Sequence, residues 1–316
     1  MNWMEPFRAE IESLFAEAAA EIARFPAPLN ADGLALLDGF NPLKQSGGTN
    51  YIGCLLPFWL NEQLACDPAL CRDLAAGNLY AMLHFCLLDD AMDQAPNMTG
   101  PAVRRALALG QLSQRLFEQR YDAHFPSSSP FWARCRVYLE DWASAVSDEG
   151  RIPADPRDPR RIARKSGPVK LCAAGLLIRA GKEARIGALE EAVDLALATL
   201  QLADDWADWR EDLGNPGCSA FLTLVRETLA AEERDAVLDE REVKKAVYRR
   251  GCLDRLADIA DDYGRRLRAI PDVPPMLAAF QAGVAGGIRN DARRAEEETK
   301  RAVSGGLISF LSKNKK

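Results

Sequence analysis

The sequence predicts an all-α protein, and three observations carry that prediction. Apolar residues recur at helical spacing along nearly the whole chain, strand signals are almost absent, and proline or capping residues mark the starts of successive helices. The segment LALATLQLA is apolar on more than one helical face, which is typical of a buried helix. Because no linker has the length or composition that separates domains, we expect a single domain of roughly ten helices over residues 1–316.

The individual helices follow from these signals in order. Apolar residues from Phe7 to Ile22 share one face of a first helix, which Pro26 and Pro28 end, and residues 1–40 contain the N-terminal helices. A capping residue followed by proline, as at Asp67-Pro68, marks several later starts. Further helices are predicted over residues 67–93, 100–121, 129–148, 158–181 and 190–212, after Ser219, from Asp239, and from Pro275 to Val303, with a frayed tail over 304–316.

Composition argues against several classes of protein. Hydrophobic residues make up 48% and charged residues 27%, which is an ordinary globular balance, and a net charge of -6 argues against a general nucleic-acid binder. With only His84 and His124 available, a His-rich zinc site is nearly excluded. No apolar run reaches the roughly 18 residues of a membrane-spanning helix. Acidic residues near the N-terminus and eight cysteines without a CxxC pair predict a cytoplasmic protein with reduced thiols.

Two aspartate-rich segments follow long apolar helices. Residues 89–93 read DDAMD and residues 204–208 read DDWAD, so both have the form DDxxD. Aspartates spaced by four residues project from one helical face, where like charges repel unless a cation binds between them. Carboxylates without histidine or cysteine select Mg²⁺ or Mn²⁺. The predicted metal ligands are Asp89, Asp90, Asp93, Asp204, Asp208 and Asp212.

A solvated acidic face is the alternative interpretation of such a motif. A single DDxxD on a surface helix is typical of one, as are the charge runs Asp261-Asp262 and 296–298, which lack the spacing. Two motifs that each end an apolar helix favour a metal site, because acids near a helix C-terminus are unfavourable against the macrodipole.

On these motifs the chain resembles the class I isoprenoid synthases, the family of trans-prenyl diphosphate synthases and class I terpene cyclases, over roughly residues 40–295. The resemblance implies an isoprenoid synthase fold around a deep apolar cavity and a prenyl diphosphate substrate bound through three Mg²⁺ ions, for which Mn²⁺ could substitute. The resemblance is also compatible with a homodimer, but it does not decide the oligomeric state. The catalytic aspartates that it implies are Asp89, Asp93, Asp204 and Asp208.

A basic segment supports the resemblance. Residues 162–170, IARKSGPVK, are similar to the lysine–threonine helix of that family, and Pro168 removes a helical hydrogen bond and favours a kink. We expect Lys165 foremost, then Arg161 and Lys170, to bind the diphosphate; a basic face on a surface helix is the alternative. The cavity-lining candidates on the face of the first motif are Met82 and Phe85.

Departures from the family pattern bear on the reaction. Elongating enzymes place an arginine pair soon after the first motif, whereas Arg104-Arg105 come later here. In the segment that would bind a second diphosphate, residues 41–48, Lys44 is the only cation. The sequence therefore favours a cyclase acting on one allylic diphosphate, although the Arg-Tyr pair of many cyclases is absent near the C-terminus. Chain elongation with isopentenyl diphosphate and a non-catalytic helical partner of such an enzyme stay open.

Overall fold

The computed structural model describes residues 4–44, 51–93, 100–229 and 237–313, and for Asp93 and residues 303–313 it describes the backbone alone. The described residues form α-helices and short 3₁₀ segments without a β-strand, which confirms the predicted all-α class. The α-helices are α1 Arg8–Ile22, α2 Leu29–Phe40, α3 Tyr51–Leu64, α4 Pro68–Asp93, α5 Pro101–Asp122, α6 Pro130–Asp148, α7 Pro159–Ile162, α8 Leu171–Arg179, α9 Ile186–Ala207, α10 Trp209–Asp212, α11 Ala220–Thr228, α12 Glu240–Arg250, α13 Cys252–Ala269 and α14 Pro275–Lys313. The 3₁₀ segments are Glu5–Phe7, Ala163–Lys170 and Glu183–Arg185.

The described chain has more helices than the sequence predicts because local features divide long predicted segments. Gly251 adopts a left-handed conformation with φ of 66° and separates α12 from α13, where one long helix was expected. The 3₁₀ segment around Pro168 separates α7 from α8, as the predicted kink requires. At the other end of the chain, α14 continues beyond Val303, its predicted end.

The chain divides into two compact units. The first contains Met1–Val146, Arg164–Val193 and Asp272–Leu277, and the second contains Ser147–Ala163, Asp194–Pro271 and Ala278–Lys316. Neither unit is therefore one uninterrupted stretch of sequence. The single domain over residues 1–316 stays a prediction.

Helix α4 lies at the core of the first unit and packs on both α3 and α5. The approach to α5 is close because Gly77 of α4 has no side chain and the buried ring of Tyr121 lies against its backbone. Tyr121 stacks in turn on Phe131, with ring centres 5.0 Å apart. Aromatic packing thus fixes the position of α4, the helix that ends in the first aspartate motif.

A polar network joins α1, α4 and α5 beside this aromatic core. The guanidinium of Arg120 on α5 pairs with Glu17 and Glu21 of α1 and, at 2.8 Å, with Asp73 of α4. The second carboxylate oxygen of Asp73 lies 2.8 Å from Nε2 of His124. Because Arg120 is largely removed from water, these charge-assisted bonds are stronger than ion pairs at the surface.

In the second unit, buried polar side chains connect α9, α13 and α14. Nε2 of Gln281, which is 1% exposed, donates to the carbonyl of Ala260 at 2.9 Å and to the hydroxyl of Thr199 at 3.1 Å. Arg289 of α14 pairs with Asp258 and Asp261 of α13. Within the described ranges, every helix is too short or too polar to span a bilayer.

The close approach of α4 and α5 gives a test of the fold. A methyl group at residue 77 would lie 2.5 Å from Cε2 of Tyr121, so Gly77→Ala should lower the free energy of unfolding by about 1–3 kcal/mol through overpacking. The matched control is Gly287→Ala, an exposed position inside α14 with no atom within 4 Å of the added methyl. There the better helix propensity of alanine should stabilise the protein by about 1 kcal/mol. Urea unfolding followed by circular dichroism measures both changes, and equal effects would contradict the packing described for Gly77.

Candidate functional site

One stripe of α4 leads to the first aspartate motif. Asn78, Met82, Phe85 and Asp89 are spaced by four, three and four residues, so they share one helical face. Their exposure increases along the helix: Asn78 is fully buried, Met82 and Phe85 are half-buried, and the Asp89 side chain is 36% exposed. The residues predicted to bind the prenyl chain therefore lie between the core and the predicted metal ligand.

The structure brings Lys165 to the first motif. Its ammonium Nζ, carried by the 3₁₀ segment Ala163–Lys170, lies 3.2 Å from Oδ1 of Asp89. The neighbouring Asp90 is exposed, with Oδ2 4.0 Å from the Cys86 sulfur. Asp93 ends α4, but its side chain lies outside the described residues. A predicted diphosphate ligand and a predicted metal ligand thus lie side by side, while their roles in binding stay predictions.

An aromatic cluster surrounds Phe85, one turn below Asp89 on α4. The ring of Phe85 lies 4.8 Å, centre to centre, from the ring of Trp142 on α6. On the other side Phe85 contacts the imidazole of His84 edge-on, at 4.9 Å. Nδ1 of His84 lies 2.8 Å from the carbonyl of Gly110, and burial lowers the pKa of the ring. Phe85 stands one turn below Asp89, and Trp142 extends its aromatic surface without having been predicted. The cavity-lining role of Phe85 stays a prediction.

Lys170 has different surroundings from Lys165. It is 6% exposed, and its ammonium lies 5.3 Å from the ring centre of Tyr138, within range of a cation–π interaction. The hydroxyl of Tyr138 donates to Glu190 at 2.5 Å. Whereas Lys165 reaches the first motif, Lys170 is directed toward the aromatic ring of α6. Its predicted contact with a diphosphate stays a prediction.

Arg161, the third predicted diphosphate ligand, belongs to the second unit. Its guanidinium donates to the carbonyl of Ile152 at 2.9 Å, and its backbone N–H is capped by the Asp158 side chain. The structure thus gives this guanidinium an acceptor on the backbone of its own unit. The role of Arg161 in substrate binding is therefore also still a prediction.

Arg164, at the start of the lysine-bearing 3₁₀ segment, contacts α6. Its Nε lies 3.8 Å from Oδ1 of Asp141, the residue before Trp142. This charge contact joins the start of the 3₁₀ segment to α6. Arg164 thus pairs with a carboxylate of α6, whereas Lys165, the next residue, pairs with the first motif.

The second motif lies in the second unit and crosses the break between α9 and α10. The backbone N–H of Asp208 donates to the carbonyl of Asp204 at 2.9 Å, and that of Asp212 donates to the carbonyl of Asp208 at 3.2 Å. These bonds span four residues, as in an α-helix, so the three aspartates follow one another at successive turns. The predicted one-turn spacing of Asp204, Asp208 and Asp212 is therefore present in the backbone.

The carboxylates of the second motif act on one another electrostatically. Desolvation and the charges of Asp208 and Asp212 raise the pKa of Asp204. Desolvation also raises the pKa of Asp212, although a hydrogen bond from the hydroxyl of Ser219 lowers it in part. Both carboxylates thus resist ionisation because they are partly desolvated and their neighbours are negative, and a bound cation would relieve that repulsion.

Asp205 has a different role from its neighbours. It is 5% exposed, and its Oδ2 accepts the backbone N–H of Ala220 at 2.6 Å and that of Phe221 at 3.4 Å. Its Oδ1 accepts Nε2 of Gln201 at 2.8 Å. Burial raises the pKa of Asp205 to about 6, although these hydrogen bonds oppose the shift. Asp205 therefore anchors the start of α11 to the end of α9, a role that sequence reasoning missed because nothing near Ala220 indicates a distant cap.

The donor set fits Mg²⁺ by its chemistry. The candidate ligands are carboxylate oxygens, which hard divalent cations prefer, and those of the second motif repel one another. Among the described residues, no three potential ligands converge on one point. That is compatible with Mg²⁺, which takes one or two carboxylates and completes its octahedron with water and phosphate oxygens.

Comparison with known proteins identifies the fold. No protein-family model and no curated protein matches the chain. A structure of T. brucei FPPS in complex with a chlorobenzothiophenyl acetic acid is 17% identical, with a TM-score of 0.56, and the match covers 91% of this chain and 99% of that one. A second T. brucei FPPS structure, in complex with an indolylmethyl piperidine amine, is 16% identical, with a TM-score of 0.55 and coverage of 90% and 99%. The chain therefore has the all-α isoprenoid synthase fold that the sequence predicts.

The anchoring role of Asp205 can be tested by its effect on stability. Asp205→Ala leaves two buried backbone N–H groups without their acceptor, so the free energy of unfolding should fall by about 2–3 kcal/mol. Asp205→Asn keeps one acceptor oxygen for Ala220 and should cost about 1 kcal/mol. Urea unfolding measures both. If the two variants lost equal stability, the charge rather than the hydrogen bonds would hold α11, because both variants lack the charge and only asparagine keeps an acceptor.

Proposed function

We propose that this protein is a Mg²⁺-dependent isoprenoid synthase that ionises an allylic prenyl diphosphate. The observation that carries the proposal is the contact between Lys165 and Asp89, 3.2 Å apart at the end of α4, in a chain with the isoprenoid synthase fold. A cation and a predicted metal ligand side by side suit a diphosphate, which binds ammonium groups directly and carboxylates through metal ions.

The aspartates of both motifs are the residues that would hold Mg²⁺. They are Asp89, Asp90 and Asp93 in the first motif and Asp204, Asp208 and Asp212 in the second. Mg²⁺, when bound, supplies Lewis-acid charge that stabilises the diphosphate as it leaves. Asp205 is excluded from this set, since its oxygens already accept three hydrogen bonds inside the protein.

The side chains of the first unit have separate tasks in this proposal. Lys165 donates to the diphosphate oxygens, and its contact with Asp89 holds the ammonium where negative charge develops as the allylic C–O bond breaks. Phe85 and Trp142 present aromatic faces beside this site, which suits the carbocation that ionisation leaves behind. Half-buried Met82 continues the apolar stripe toward the core and helps to exclude water. The deep apolar cavity stays a prediction.

Chain elongation is the first candidate for the step after ionisation. The two T. brucei structures are of FPPS, a trans-prenyl diphosphate synthase, and they favour this alternative over the cyclase that the sequence favours. In elongation the double bond of isopentenyl diphosphate attacks the allylic carbocation and forms a new C–C bond. Loss of a proton from the resulting cation then gives a longer prenyl diphosphate.

Cyclisation is the second candidate, and a specific observation favours it. Lys44, the one described cation of the segment expected to bind a second diphosphate, pairs with Asp38 at 2.7 Å. Arg105 pairs with Asp32 at 3.2 Å. These cations already have carboxylate partners, so a second diphosphate would compete with them. The rest of that segment, residues 45–48, lies outside the described residues.

The metal assignment predicts a loss of turnover without a loss of fold. Asp89→Ala and Asp208→Ala should each lower kcat by about 10²-fold or more, or roughly 2.7 kcal/mol of transition-state stabilisation. The matched control is Asp262→Ala, which removes an exposed carboxylate that pairs with Arg265 on α13. Pyrophosphate release, with and without EDTA, measures the effect. Near-wild-type turnover in the Asp89→Ala variant would contradict the assignment of Asp89 to the metal site.

The product separates the two candidate reactions. We expect the enzyme to convert an allylic diphosphate and isopentenyl diphosphate into a longer diphosphate, because the similar solved structures belong to an elongating enzyme. C10, C15 and C20 allylic diphosphates should be tested with and without isopentenyl diphosphate. Chain-length analysis of the diphosphates runs beside gas chromatography of extracted hydrocarbons and alcohols. A terpene formed from one allylic diphosphate alone would establish cyclisation instead.

A further inference from the structure

A buried side-chain amide joins three elements of the first unit. Asn78 of α4 has no solvent exposure, and its Nδ2 donates to the carbonyl of Gly53 in α3 at 2.7 Å. The same nitrogen donates to the carbonyl of Val169 in the 3₁₀ segment at 3.3 Å. Oδ1 of this amide is buried and has no hydrogen-bond partner in the described structure. Both donors of the amide are used, while its acceptor is left unsatisfied.

The carbonyl of Gly53 needs this donor because of a proline. In a regular α-helix the N–H of residue 57 would donate to the carbonyl of residue 53, but Pro57 has no N–H. A buried carbonyl without a donor is costly. Asn78 therefore supplies, from the neighbouring helix, the hydrogen bond that Pro57 cannot make.

The bond to Val169 fixes a second irregular segment. The 3₁₀ segment Ala163–Lys170 is eight residues long, whereas such runs seldom exceed three or four residues because their hydrogen bonds are poorer. Val169 stands at the end of this segment, next to Lys170 and four residues beyond Lys165. The bond from Asn78 thus joins the lysine-bearing segment to the helix that carries Asp89.

We propose that Asn78 is a positioning residue that sets the register of the 3₁₀ segment against α4, so that Lys165 meets Asp89. This inference rests on the proposed function, in which Lys165 binds a diphosphate. An apolar residue would avoid the unsatisfied Oδ1 but would remove the amide donor from both carbonyls. The carbonyl of Val169 would then keep only the weaker thiol donor of Cys172 among side chains. The ligand class whose binding depends on Asn78 is a diphosphate, either free or attached to a prenyl chain.

The alternative is that Asn78 matters only because it donates to the carbonyl of Gly53 in α3. A substitution of Pro57 separates this role from the bond to Val169. Pro57→Ala returns a backbone N–H that can donate to the carbonyl of Gly53 within α3. In an Asn78→Ala background it should therefore restore the thermal midpoint. It cannot restore the bond to Val169, which depends on the Asn78 side chain.

The experiment uses the full chain as Asn78→Ala, as Pro57→Ala and as the double variant. Gln281→Ala is the matched control, since it removes another buried amide with two donated bonds, in the second unit. Three quantities are measured: the thermal midpoint, the Kd for inorganic pyrophosphate with Mg²⁺, and hydrogen exchange of the backbone amides of residues 163–173. Hydrogen exchange reports on the segment whether or not the enzyme is active.

We expect Asn78→Ala to weaken pyrophosphate binding by about tenfold and to raise exchange in the 3₁₀ segment by a similar factor. The double variant should regain the thermal midpoint while both defects persist, and Gln281→Ala should change Kd by less than about twofold. Recovery of Kd and exchange in the double variant would overturn the inference, as would unchanged exchange in Asn78→Ala. If the wild-type protein neither binds pyrophosphate nor turns over an allylic diphosphate, the proposed function fails, and exchange alone decides whether Asn78 holds the segment.

Discussion

The arrangement of each motif depends on one electrostatic constraint: carboxylates at the C-terminal end of an apolar helix are unfavourable unless positive charge or donors offset them. In the first unit Lys165 lies against Asp89 and supplies that charge. In the second unit, a backbone N–H group at the start of α11 donates a hydrogen bond to Asp205, and the hydroxyl of Ser219 donates one to Asp212. The elements next to each motif are positioned by these compensating contacts.

Adjacent aspartates have opposite roles because a helix turns by about 100° per residue. Asp204 remains accessible, and desolvation together with its negative neighbours raises its pKa. Asp205 points into the second unit, where its three hydrogen bonds connect α9 to α11. In the second DDxxD motif, a potential metal ligand, Asp204, is thus followed directly by a structural anchor, Asp205.

The sequence predicts regular features and misses those that depend on distant partners. The all-α class and the extent of α4 follow from helical periodicity and from the capping pair Asp67-Pro68, and both are confirmed. No helix was predicted over residues 51–64, where α3 contains Pro57. A helix with an internal proline needs a donor from elsewhere, here the side chain of Asn78 for the carbonyl of Gly53, and such a distant partner cannot be seen in the sequence. The preference for a cyclase rested on cations that are missing from the sequence, and the similar structures identify the fold alone.

The winding of the 3₁₀ segment has a consequence for the direction of its cations. A 3₁₀-helix turns by about 120° per residue and an α-helix by about 100°, so over the five residues from Lys165 to Lys170 the two differ by about 100°. This angular offset helps to direct Lys165 toward Asp89 and Lys170 toward Tyr138. Rewinding the same residues as an α-helix would rotate one ammonium group away from its present partner while leaving the sequence unchanged.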